Sequence, residues 1–153
     1  MKVSIKVLEI DHEHLVSLFS TALYGSDYLV GLLPTPEEDV EKHEDECWED
    51  IAARHLLKGG SVLVRDENSE GEAYSSLGTV DDKSGVTTYK IKLGDIIDGL
   101  NKAANGTFKV NDIDEEAAAR EYFFDFYDNE GNLDCVGADY LMQIILFGEV
   151  VYG

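Results

Sequence analysis

The chain has 153 residues, 44% apolar and 29% charged, and a formal net charge of −20. Such a length is one domain's worth, and the apolar share is enough for a packed core. Eight Tyr, six Phe and one Trp argue against a disordered acidic chain, and the excess of negative charge argues against direct contact with nucleic acid, because no basic patch is present to meet phosphates.

Residues 2–9 alternate apolar and polar side chains, which predicts a half-buried strand. Asp11 then stands as N-cap of a helix carrying Leu15, Leu18, Phe19, Ala22 and Leu23 at helical spacing, with Gly25 as its stop. The run YLVGLLPTP reads as a connection lying against the core. A second helix is expected from Pro36 or Glu37 to Gly59-Gly60. Its apolar stripe would be Val40, Cys47, Trp48, Ile51, Ala52, His55 and Leu56, and Glu38, Glu41, Asp45 and Glu49 would line the opposite side.

SVLVRD (61–66) is a predicted strand, followed by a turn-rich stretch with a short strand near 72–75. VTTYKIKL (86–93) returns as another strand, which makes this section an antiparallel meander. A short helix is expected over 94–106, ended by Asn105-Gly106. Asp112 and Glu115 have the spacing of a capping pair. In the helix they open, Ala119, Tyr122, Phe123 and Phe126 share one face, and Asp114, Glu121, Asp125 and Asp128 share the other. Residues 138–147 are apolar nearly all round and predict a buried helix, capped by Gly148 and followed by a strand over 149–152. The resulting class is α+β: about five helices packed on an antiparallel or mixed sheet of four to five strands, in a single domain spanning 1–153.

The charge is concentrated. Residues 37–50 hold nine carboxylates and one Lys, residues 112–139 hold ten carboxylates and one Arg, and the other 111 residues carry a net of only −3. Drawn as a helix, the first segment spans about 21 Å, one carboxylate per roughly 2.3 Å, close to the ~1.7 Å of a DNA duplex. A face of that kind suits the basic groove of a nuclease or another nucleic-acid-handling protein. It would steer encounter and weaken with salt. The candidate partner-binding residues are Glu38, Glu41, Asp45 and Glu49, with Glu121, Asp125 and Asp128 as a second patch.

Chemistry has weaker signals. The motifs GxSxG, GxGxxG and the phosphate-binding P-loop are missing, so no enzyme class is indicated and a non-enzymatic protein without cofactors is expected. His43 with Cys47, and His12 with His14, have zinc-ligand character but no second paired module. Cys47, beside Trp48 on the stripe, reads as a small core residue. The stretch 128–139 offers Asp128, Glu130, Asn132, Asp134 and Asp139 as weak calcium-ligand candidates, with Leu133 where an EF-hand loop has its turn glycine. Two cysteines, no leader-like opening and no apolar run long enough to cross a bilayer lead to the expectation of a cytoplasmic protein without membrane contact.

With the segments CWEDIAARHLLKGGSV and LMQIILFGEVVYG, and with its size and acidity, the chain resembles the small acidic proteins that bacteriophages and mobile elements encode. Some of these are anti-CRISPR or anti-restriction proteins that imitate DNA. The resemblance spans the whole length, rests on style and implies a DNA-mimic inhibitor; it carries no functional residues over. Two alternatives stay open: a structural or accessory domain with solvated acidic helices, and a weak divalent-cation-binding protein.

Overall fold

The computed structural model describes residues 9–24, 26–128 and 132–153. Among the described residues five helices, α1 (His12–Leu23), α2 (Trp48–Leu57), α3 (Leu93–Asn105), α4 (Glu115–Tyr127) and α5 (Cys135–Phe147), accompany four strands, β1 (Leu29–Pro34), β2 (Ser61–Asp66), β3 (Gly78–Val80) and β4 (Thr87–Lys92). The strands form one antiparallel sheet in the order β1-β2-β4-β3. The α+β class expected from the sequence is the class observed.

Strand pairing follows the side-chain pattern. Val62, Val64 and Asp66 of β2 lie opposite Ile91, Tyr89 and Thr87 of β4, and all six are fully buried. The alternate positions Arg65, Lys90 and Lys92 face solvent. This two-residue period pins the register, because a slip of one residue would bury the charged set. Burying Val62, Val64 and Ile91 contributes about 1.5–3 kcal/mol each.

Above the sheet, α5 is the central helix. It packs against α1, α3 and α4, while α2 rests on β1 and β2. Leu141, Met142, Ile144 and Leu146 are completely or almost completely buried, as an apolar helix surrounded by others requires. Asp134 caps its start by accepting from the Gly137 N–H at 2.7 Å, and Gly148 ends it in the left-handed conformation (φ 75°). At α1, Asp11 accepts from the His14 N–H at 2.9 Å and the His14 ring closes the capping box.

Several expected elements are corrected. The run 28–36 is not a connection: Leu29–Pro34 is a strand, at the edge of the sheet formed by the described residues. Gly31 at φ 76°, a register break between Val30 and Leu33, and Pro34 disguise it, and all three are tolerated at a sheet edge. The short strand lies at Gly78–Val80 rather than 72–75, and β4 separates it from β2, so the section is not a simple meander. Helix α5 begins three residues before the expected 138. Residues 149–152 are not a strand. The Val151 and Tyr152 N–H groups donate to the Gln143 side-chain oxygen at 2.7 and 2.8 Å, so a side chain takes the role of a neighbouring strand. Most of the strand expected over 2–9, and the stop at Gly25, lie outside the described residues.

Candidate partner-binding surface

The acidic segment 37–50 is not a helix before Trp48. Residues 37–47 are turns and irregular chain, and α2 starts after Cys47. The cause is visible in the residues. Val40 is the only apolar side chain between 37 and 46, so a helix there would have no stripe to bury, and its carboxylates would repel one another at three- and four-residue spacing. The duplex-like spacing of charge, which assumed helical rise, therefore does not exist. Glu38, Glu41, Asp45 and Glu49 do not share a face.

Much of this segment is turned back onto α2 and the start of β2. The Glu38 carboxylate accepts from the Ser61 N–H at 2.8 Å and the Ser61 hydroxyl at 2.7 Å, and sits 2.8 Å from His55 Nε2. These bonds hold its carboxyl at about 2, well below the ordinary 4.5. Glu41 pairs with Lys58 and lies beside His43 and Arg54, which also brings its carboxyl to about 2. Arg54 forms a forked pair with Glu46. Asp50 takes the His12 ring at 2.9 Å and the Cys47 thiol at 2.9 Å. Asp45 is exposed at φ 64°, and Glu49 lies in the first turn of α2.

Cys47 and Trp48 are exposed, not part of the core stripe. Lys42 Nζ stands 5.4 Å from the centre of the Trp48 ring. The Cys47 thiol is pushed up, mainly because it donates to the neighbouring Asp50 carboxylate.

Helix α4 is different. Ala119, Phe123 and Phe126 are buried and Tyr122 half-buried, as the pattern requires, which leaves Glu121 and Asp128 exposed and Asp125 half-exposed on the outside. Asp112 and Glu115 do not make the expected capping box: Asp114 is the N-cap, without a side-chain bond, and Glu115 accepts from the Asn111 N–H at 2.8 Å. Arg120 reaches Glu116 at 3.9 Å and donates to the Ala104 carbonyl. Among the described residues, no lysine, arginine or histidine pairs with Asp112, Asp114, Glu121, Asp125 or Asp128.

The loop candidates for calcium are dispersed. Asp134 is occupied as the cap of α5. Asp139 accepts from the Tyr28 hydroxyl and from Gln143 Nε2 at 2.8 Å. Asp128 and Asn132 flank residues that, like Glu130, lie outside the described ones. Among the described residues no three His, Cys, Asp or Glu side chains converge on a metal-sized site, and His43 and Cys47 have separate partners.

Sequence reasoning missed the countercharges. Arg54, His55 and Lys58 are all within one helical turn of each other, and that spacing was the available signal that α2 presents a basic edge to the acids before it. No helix among the described residues is long and apolar enough to cross a membrane. Compared with protein-family models, curated proteins and solved structures, the chain matches none.

Proposed function

We propose that this is a non-enzymatic binding protein that presents the acidic outer face of α4 to a basic, nucleic-acid-handling protein, in the manner of a DNA-mimic inhibitor from a phage or mobile element. The observation that carries the reading is the contrast between the two acidic segments. Residues 37–50 spend Glu38, Glu41, Glu46 and Asp50 on partners within the chain. Among the described residues no cation pairs with Glu121, Asp125 or Asp128, so their field extends into solvent, where it attracts a cationic surface over about 8–10 Å at physiological salt. The docking face thus moves from the opening cluster to α4.

The test is capture of basic proteins from a host lysate at low and high salt, followed by competition with duplex DNA. A partner released by both salt and duplex supports mimicry. A partner held equally well in the presence of duplex overturns it.

A further inference from the structure

Where the amino end of α4 approaches α1, α5 and the final segment, the surface opens into a cleft of about 500 Å³, within the range of pockets that hold ligands. Its walls are of two kinds. Ala22, Ala118, Val136 and Val150 with the rings of Tyr140 and Tyr152 give an apolar interior. Asp112, Asp114, Glu115 and Asp139 stand along the same cleft, and among the described residues no Lys, Arg or His lines it. Three other clefts differ: the one beside α2 has Lys58 in its wall, the one beside Trp48 has Lys42, and the one beneath α3 has Lys102.

The field inside is negative. The dipole of α4 places about half a positive charge at its amino end, but Asp112, Asp114 and Glu115 outweigh it. Tyr140 responds accordingly: burial, then the nearby Glu115, Tyr122, Asp112 and Asp114, push its hydroxyl up to about 12. Exposed apolar side chains lie in or beside the lining. Tyr24 is 88% exposed and Val136 57% exposed, and Ile113, between two of the lining aspartates, is 89% exposed. Exposed apolar side chains beside a concave centre suit a protein docking site.

We propose that this cleft docks a basic segment of a protein partner and takes one arginine side chain, its stem and plane against the tyrosine and aliphatic walls and its guanidinium toward Asp112 and Asp114. Charge complementarity selects the cation. The aromatic walls select arginine over lysine, because a planar guanidinium both stacks on rings and pairs with carboxylates, whereas an ammonium is a compact, strongly hydrated point charge. Tyr24, Ile113 and Val136 then meet apolar residues on either side of that arginine. The inference rests on the reading above that the partner is basic, and it adds where one side chain enters.

The experiment titrates a capped leucyl-arginyl-leucine tripeptide into the ¹⁵N-labelled full chain, with the citrulline tripeptide as neutral isostere. The expected result is amide shifts confined to the cleft, affinity about tenfold weaker for citrulline, and loss of binding in Val136→Trp, which fills the mouth from an exposed position. Asp112→Asn with Asp114→Asn, whose side chains make no cap bond, should weaken the arginine peptide and leave the citrulline peptide unchanged. Equal binding of the two peptides, shifts spread over the outer face of α4, or indifference to Val136→Trp each overturns the proposal. If salt- and duplex-sensitive partner capture survives Val136→Trp, only the cleft proposal falls; if no such partner is captured at all, the reading of a basic partner falls with it.

Discussion

Glu38 and His55, seventeen residues apart, meet at 2.8 Å, and the same carboxylate accepts both the backbone N–H and the hydroxyl of Ser61. One side chain therefore ties the irregular acidic segment to the last turn of α2 and the first residue of β2. Glu38 has a folded value near 2 against an ordinary 4.5. Its contribution is complete above the ordinary value and disappears as pH falls through the folded one. The melting temperature should drop between about pH 5 and pH 2, and Glu38→Gln should flatten that slope while lowering the melting temperature at neutral pH. Thermal melts of both proteins across that range decide it; parallel slopes would show that Glu38 is not the titrating tie.

Tyr152 donates to Asp66 at 2.8 Å, and Asp66 is fully buried with the Asn68 N–H as its other partner. Tyr152→Phe keeps the ring and removes the donor, so a buried carboxylate loses one of the two hydrogen bonds it accepts among the described residues. The expected cost is about 1–3 kcal/mol in urea denaturation. A change near zero would mean that solvent reaches Asp66.

Gly99 lies where α3 crosses α5. A Cβ there would stand 2.6 Å from the Ile145 Cα, which is backbone and has no rotamer to yield. Gly99→Ala gains about 1 kcal/mol in helix propensity, but overpacking of this kind costs about 1–3 kcal/mol. Net destabilisation is predicted, measurable by the same denaturation assay. A stabilised variant would show that the two helices separate freely.

The two cysteines are both exposed. Cys47 donates to Asp50 at 2.9 Å, and that carboxylate pushes its thiol up, so the thiolate is scarce at neutral pH. Iodoacetamide should modify Cys47 slowly in the wild type and faster in Asp50→Asn, read by mass spectrometry of the peptide containing it. No acceleration would detach the thiol from Asp50.

What the residues made legible was periodicity. Thr87, Tyr89 and Ile91 announced β4, Ala119, Phe123 and Phe126 announced α4, and Asp11 announced the start of α1, because each pattern is local and strong. The failures came where distant partners decide. Residues 37–47 looked helical while their charges were counted alone, but Ser61, His55, Arg54 and Lys58 draw those carboxylates into an irregular path. Residues 149–152 looked like a strand, yet the Gln143 side-chain oxygen accepts the Val151 and Tyr152 N–H groups. Of the seven acidic residues first suggested as a docking face, Glu121, Asp125 and Asp128 remain on the outside of one helix, whereas Glu38 and Glu41 are engaged within the fold. The cleft at the amino end of α4 was invisible in advance, since α1, α4, α5 and the final segment meet there only after folding.

The proposed docking face is α4, and not the denser cluster before α2. It is tested by quantitative partner capture with two variants compared side by side: Glu121→Gln, Asp125→Asn, Asp128→Asn combined, and Glu41→Gln, Asp45→Asn, Glu49→Gln combined. Each removes three carboxylates, so net charge changes equally. The first variant should abolish salt- and duplex-sensitive capture, and the second should leave most of it. Equal loss in both would mean that bulk charge alone is sensed, and full retention by the first would contradict a docking role for α4.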